Sequence, residues 1–349
     1  MSTATSSAAP TVTLRFQDGE ERGKEVVLPR TLRSGRYEIK EILFYGGMGF
    51  ILRAIDHRVF GNEVLIKSIK YQASEFAYDK QKALYNIYQL RQMFRRERRI
   101  LAELRTRGIN NIPHINDFFY DENHEFTTKT YPFGKLAEKE RHQFLKIDVE
   151  VHREPYLVME RILGRSIGER MDALPEKARL RVVRDALVAL EKMHRPRQRP
   201  DGSTLEMVYL DLKPQNILVD DSGRVTLIDF GGTMPIVNGR KRKEQKGALT
   251  YGYAAPECET LFTSIDRVDR RTDLYSAGAM LWGMYTGKNP ARLADPISNR
   301  YPVLSVDELP SDVAPEIKDL IARALERDPE KRWRHAGEMV EILDRTLGK

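Results

Sequence analysis

Residues 208–220 read VYLDLKPQNILVD. Asp211 and Asn216 stand five apart with Lys213 between them, and the run RVTLIDFGG (224–232) follows, carrying Asp229, Phe230 and Gly231. Phosphoryl transfer asks little covalent chemistry of a protein. It asks for Mg²⁺ held against the phosphates, a lysine beside the migrating charge and a carboxylate facing the acceptor hydroxyl. These two runs supply all three within about twenty residues, a spacing that chance explains poorly.

Working outward, Gly46, Gly47 and Gly49 lie between two strand-like runs in YEIKEILFYGGMGFILRAID (37–56). Glycines there let a backbone approach a phosphate with its N–H groups turned inward, although taken alone such a cluster is usually only a tight turn. The next strand-like run, EVLIKSIK (63–70), carries Lys67. Then ALYNIYQLRQMFRRERRILAEL (83–104) places Leu84, Ile87, Phe94, Leu101 and Leu104 at helical spacing, which predicts one long amphipathic helix. Glu97 on that helix has two sets of partners open to it, Lys67 and the neighbouring arginines.

HINDFFY (114–120) and PYLVME (155–160) read as strands enclosing a long polar segment, and ARLRVVRDALVALEKMH (178–194) begins a helical remainder. Strands first and helices afterwards predict an α+β fold in two lobes. The expected organisation is a polar lead and extra β-hairpin over 1–35, a first lobe over 36–160 with an insert at about 121–154, and a second lobe over 161–349. The hairpin rests on VTLRF and KEVVLP, which alternate on either side of a turn-forming stretch within 12–29.

The 349 residues are 41% hydrophobic and 31% charged, as in ordinary globular proteins. The most apolar run, SAGAMLWGMYTG (276–287), is too short to cross a bilayer. The opening MSTATSSAAP lacks the basic start and apolar core of a secretory signal. A single cysteine, Cys258, excludes an internal disulfide, and seven scattered histidines argue against zinc. A cytoplasmic setting is expected, with no membrane partner. The net charge of +7 is accounted for by surface solvation, so nucleic acid is not expected.

Taken together, VLIK, FRRERRIL, DLKPQN, DFG, YAAPE, TDLYSAG and DPEKRW, in this order, resemble the eukaryotic-type (Hanks-type) protein kinases, and YGGMG is most similar to the bacterial Ser/Thr branch. The resemblance covers roughly residues 36–349 and implies ATP and Mg²⁺ as cofactors and a protein substrate. By it, Lys67 would hold the α and β phosphates and pair with Glu97. Gly46, Gly47 and Gly49 would cover the phosphates, and Leu43, Ile51 and Leu218 would line the nucleotide site. Met159 would be gatekeeper, with Glu160, Arg161 and Ile162 the hinge that meets adenine. Asp211 would be the catalytic base, Lys213 would neutralise the γ phosphate, and Asn216 with Asp229 would hold Mg²⁺. Thr250 would bridge Asp211 and Lys213, the pattern of Ser/Thr kinases. Glu257 would pair with Arg332, and Asp273 would anchor the catalytic loop's backbone.

Several positions depart from the family pattern. Phe44 stands for the first glycine of the loop and Leu65 for the alanine of the strand-lysine motif, and both are expected to narrow the nucleotide pocket. Tyr209 and Leu210 replace the usual His and Arg before Asp211. The only hydroxyl in GTMPIVNGRKRKEQKGAL (232–249) is Thr233, close to Asp229, while the tip carries Arg240, Lys241, Arg242 and Lys243. An active Ser/Thr kinase that does not depend on activation-segment phosphorylation is therefore expected. A pseudokinase serving as a binding module is the alternative, and a small-molecule phosphotransferase a further one. Arg91, Arg95, Arg96, Arg98 and Arg99 present either a docking face for an acidic regulator or a solvated helix face. The sequence leaves the oligomeric state open.

Overall fold

The computed structural model of the chain describes residues 11–15, 25–45, 49–69, 80–122, 153–169, 174–241, 250, 252–258, 266–293 and 302–349. They divide into two compact units, one within 1–99 and 114–161, the other within 100–113 and 162–349.

Period-two alternation builds the first unit. Strands β1 (Thr11–Arg15) and β2 (Glu25–Pro29) pair antiparallel, with Val12 opposite Leu28. Strands β3 (Thr31–Leu32), β4 (Tyr37–Tyr45), β5 (Gly49–Asp56), β6 (Asn62–Ile69), β7 (Ile115–Glu122) and β8 (Arg153–Glu160) form a six-stranded sheet in the order β3-β4-β5-β6-β8-β7. Along β5, Phe50, Leu52, Ala54 and Asp56 are buried and the residues between them half-buried, so the sheet has two distinct faces. On one face Leu52, Ala54, Val64 and Ile66 join Tyr37, Ile39, Phe119 and Tyr156 in a core that includes Leu28, with Leu14 packed against it. The β1–β2 hairpin therefore contributes apolar side chains to the core of this sheet.

At the same end, Arg36 lies 2.8 Å from Asp56 and 2.9 Å from Asp117. The bond from Arg36 holds the buried Asp56 carboxyl below its ordinary range. A Cβ at Gly49 would stand 2.2 Å from the Ser68 carbonyl oxygen, so the close pairing of β5 with β6 needs glycine there. Gly46 and Gly47 lie outside the described residues.

The long helix is observed as α1, Lys80–Thr106. Phe94, Leu101 and Leu104 are buried on it, while the side chains of Leu84 and Ile87 lie outside the described residues. The arginine run divides. Arg91 is fully buried, Arg95 donates to the Tyr120 hydroxyl at 2.5 Å, and the Arg98 guanidinium lies 4.9 Å from the centre of the Phe118 ring. Arg91 and Arg95 are thus absorbed by the fold, while Arg98, over Phe118, and Arg99 remain exposed.

Helices dominate the second unit: α2 (Glu176–His194), α3 (Arg270–Thr286), α4 (Pro315–Ala324) and α5 (Ala336–Leu347). Helix α3 is buried from Thr272 through Met284, which explains why its sequence is apolar on every side. Asp269 caps it, accepting from the Arg271 backbone, and the Thr272 hydroxyl bonds back to the cap. Two small sheets complete the unit. Strands β9 (Arg165–Ser166), β12 (Ile217–Val219) and β13 (Val225–Leu227) run in the order β13-β12-β9. Strands β10 (Arg197–Gln198), β11 (Thr204–Val208), β14 (Met234–Val237) and β15 (Arg240–Lys241) run in the order β10-β11-β14-β15. A β-rich unit and a helical one make the fold α+β. No helix among the described residues is long and apolar enough to cross a membrane.

Candidate active site

In the first unit, the strand period turns Lys67 to the face opposite the buried Ile66 and Ser68. Its ammonium lies 2.8 and 2.9 Å from the two carboxylate oxygens of Glu97, which is buried on α1. Sheet register places Phe44 opposite Ile51, Ile51 opposite Lys67, Leu65 opposite Met159 and Val64 opposite Glu160. The end of β8 is tied down, because the Glu160 amide donates to the His114 carbonyl at 2.9 Å and the Glu160 carboxylate accepts from the His114 amide at 3.0 Å. Arg161 pairs with Glu63. Leu43 and Phe44 are exposed, Phe44 to 63%.

In the second unit the loop before Asp211 is held from below. Asp273, buried in the first turn of α3, accepts the Tyr209 amide at 2.8 Å and the Leu210 amide at 2.7 Å. His194, at the end of α2, brings Nε2 within 2.8 Å of the same carboxylate. Leu210 has φ +69° and Asp229 φ +60°, a region that non-glycine residues rarely occupy. Such strain persists only where the surroundings over-determine it, and at Leu210 the two amide bonds to Asp273 do so. Tyr209 is fully buried, its ring 5.1 Å from that of Phe230, and its hydroxyl donates to the Ile228 carbonyl. The aromatic ring thus fills the space beside Phe230.

Above that anchor the polar groups converge. Lys213 Nζ lies 2.9 Å from Asp211 Oδ2 and 2.7 Å from Thr250 Oγ1, and the Thr250 hydroxyl is 3.1 Å from Asp211 Oδ1. Asn216 Nδ2 donates to the Asp211 backbone carbonyl at 2.9 Å and to Asp211 Oδ2 at 2.7 Å. Burial pushes the Asp211 carboxyl above its ordinary value; Lys213 opposes the shift, Asp229 adds to it and Asn216 opposes it. The Ile228 amide bonds to the Asn216 carbonyl at 2.9 Å, which brings Asp229 next to Asn216.

No cluster of three His, Cys, Asp or Glu able to hold a metal occurs among the described residues. An Asn–Asp pair fits Mg²⁺, which keeps several waters and completes its shell with phosphate oxygens, better than it fits a metal that needs an all-protein cage. Ile162 and Leu218 belong to this second unit, with Leu218 on β12. Beyond the loop, Arg332 and Glu257 form a buried bidentate pair at 2.7 and 2.8 Å, and Thr272 donates to Glu257 at 2.8 Å. His194, a lone histidine at a helix end, carried no signal of its own in the sequence, and the Asn238–Gly239 turn lies between β14 and β15. The Asn-Gly pair was a usable signal for that turn.

A family model described as the protein kinase domain matches residues 37–343. The chain belongs to the protein kinase family. Serine/threonine-protein kinase PksC of Streptomyces coelicolor is 29% identical over 338 residues, covering 93% of this chain and 50% of that protein. Serine/threonine-protein kinase PknB of Mycobacterium tuberculosis is 28% identical over 323 residues, covering 90% of this chain and 43% of that protein. A probable serine/threonine-protein kinase PknB of Bifidobacterium longum is 27% identical over 321 residues, covering 89% and 39%. The chain spans about half or less of the length of these relatives. Strands β1 and β2 precede the residues that the kinase model matches.

Proposed function

We propose that this kinase-family chain transfers the γ-phosphoryl group of Mg-ATP to a serine or threonine hydroxyl of a protein. The observation that carries the reading is the closed triangle of Asp211, Lys213 and Thr250, at 2.9, 2.7 and 3.1 Å. Bound Mg-ATP supplies the phosphoryl group and the divalent charge that offsets its oxygens. Lys67, oriented by Glu97, binds the α and β phosphates, and Gly46, Gly47 and Gly49 belong to the loop that covers them. By the kinase resemblance, Leu43, Ile51 and Met159 of the first unit and Leu218 of the second are assigned to adenine, and Glu160 and Ile162 to the hinge. Asn216 and Asp229 hold the cation. Asp211 takes the proton of the acceptor hydroxyl, and its burial-raised basicity suits that task. Lys213 offsets charge on the γ phosphate, and Thr250 keeps Lys213 and Asp211 in register.

We further infer that turnover does not depend on activation-segment phosphorylation. Leu210 is buried, 8% exposed, and offers no cation to pair with a phosphate. Thr233 is fully buried, which withholds its hydroxyl from a second kinase. If an acidic regulator binds α1, it meets Arg98 and Arg99, the members of the run that remain exposed. The assembled triangle and the formed Lys67–Glu97 pair favour turnover over a binding-only module. The test is transfer of label from γ-labelled ATP to a generic basic protein and to the chain itself. Label on protein Ser or Thr supports the reading; nucleotide binding without transfer supports the pseudokinase, and label on soluble metabolites alone supports the small-molecule alternative.

A further inference from the structure

The stretch from Asp229 to Thr250 joins two groups of the proposed site, and its first half is built into a sheet. Strand β14 pairs with β11 over four residues, Leu205 opposite Val237 through Val208 opposite Met234. It then turns at Asn238 (φ +50°) and Gly239 (φ +69°) and pairs back as β15, with Val237 opposite Arg240. Positive φ at both central residues is the type I′ geometry that matches strand twist, and Asn-Gly adopts it at low cost. The turn is stitched to the neighbouring hairpin at its tip: the Asn238 amide donates to the Thr204 carbonyl at 2.8 Å, and Asn238 Oδ1 accepts the Thr204 amide at 2.7 Å. Thr204 is positioned from the far side by Gln198 of β10, whose Nε2 donates to the threonine hydroxyl at 3.0 Å.

Both ends of this assembly are clamped. Arg107 donates to the Met193 carbonyl at 3.2 Å, the Arg195 carbonyl at 2.9 Å and the Leu205 carbonyl at 2.8 Å, fixing the base of the hairpin that starts at β10. Lys241 donates from Nζ to the Asp266 carbonyl at 2.6 Å. Leu205, Met207, Met234 and Ile236 are buried beneath the strands.

We propose that the RPRQRPDGST hairpin (195–204) and the Asn238–Gly239 turn form a latch that orders residues 234–241, the described first part of the activation segment, with Asn238 as its positioning residue. The inference rests on the kinase reading and names what does the ordering there. Where an arginine before the catalytic aspartate gathers the segment through a phosphate, this chain holds residues 234–241 of it in a four-stranded sheet. Each latch bond is made from groups present in the unmodified chain, so the ordered state needs no prior modification.

The test compares Asn238→Gly, which keeps the turn's backbone freedom but deletes the acceptor, with Asn238→Asp, which keeps an acceptor oxygen. Both are made in the full chain and read by amide exchange over 204–208 and 234–241 and by steady-state kinetics after phosphatase treatment. One lost bond of this kind is expected to speed exchange of the Thr204 amide roughly three- to tenfold. The same factor is expected in kcat/KM for the protein substrate, with KM for ATP unchanged and Asn238→Asp near the parent. Lys241→Met is expected to loosen 236–241 in the same way without touching the turn. Faster exchange with unchanged kcat/KM, equal losses toward both substrates, or Asn238→Asp as impaired as Asn238→Gly overturns the proposal. A parent chain that moves no phosphate sinks the kinase reading, while exchange still decides whether the latch holds the segment.

Discussion

Tyr209 and Leu210, ahead of Asp211, and Phe44, near the end of β4, all replace residues of the kinase pattern, yet the molecule treats them oppositely. The first two are buried in the second unit, where Tyr209 packs on Phe230 and bonds to Ile228 and where Asp273 holds both amides. Phe44 stands 63% exposed on the first unit's sheet. A replacement absorbed by packing has become part of how the loop is held. One left at the surface touches little that the fold depends on.

The largest effect expected on the buried side is in chemistry. Asp211→Asn should lower kcat by roughly two to four orders of magnitude while nucleotide binding changes little, as steady-state rates and nucleotide titration will show. The next is in stability: Tyr209→Ala should cost about 3–5 kcal/mol in denaturant unfolding, the range for emptying a buried aromatic site. Tyr209→Phe, which loses only the bond to Ile228, should cost about 1 kcal/mol. On the exposed side, Phe44→Ala should stay within about 0.5 kcal/mol of the parent. If Phe44→Ala proves as costly as Tyr209→Ala, the contrast between the two regions fails.

The smallest effect expected concerns pH. Asp56 has its folded-state pKa depressed by Arg36, so its contribution is present above the ordinary Asp value of about 4 and is lost as pH falls toward the folded pKa. Asp56→Asn should therefore flatten the acid limb of the pH–stability curve and shift stability at neutral pH downward. An unchanged acid limb would show that the Arg36–Asp56 pair is not coupled to folding of this sheet.

What the sequence disclosed followed the range of the forces involved. Helices α1 and α2 were legible because their apolar spacing is local, and the groups around Asp211 were legible because DLKPQN and DFG are short, rigid units of spacing. Glu97 was only half legible, since Lys67 and the adjacent arginines were equal candidates until the fold brought strand and helix together. The packing role of the β1–β2 hairpin was hidden because Leu14 and Leu28 meet residues as distant as Phe119 and Tyr156. Arg91 read as a surface charge because burial of an arginine depends on contacts no local pattern encodes. The basic run after Gly239 drew attention to charge and away from the Asn-Gly turn, although Arg240 and Lys241 form a strand.

Phosphorylation independence is tested most directly by the initial rate of the full chain after phosphatase treatment, assayed at once against the untreated protein. With Leu210 buried and residues 234–241 held by the Asn238 latch, the stripped protein should begin transferring phosphate to substrate without a lag and keep most of its initial rate. A pronounced lag that autophosphorylation then abolishes would contradict it.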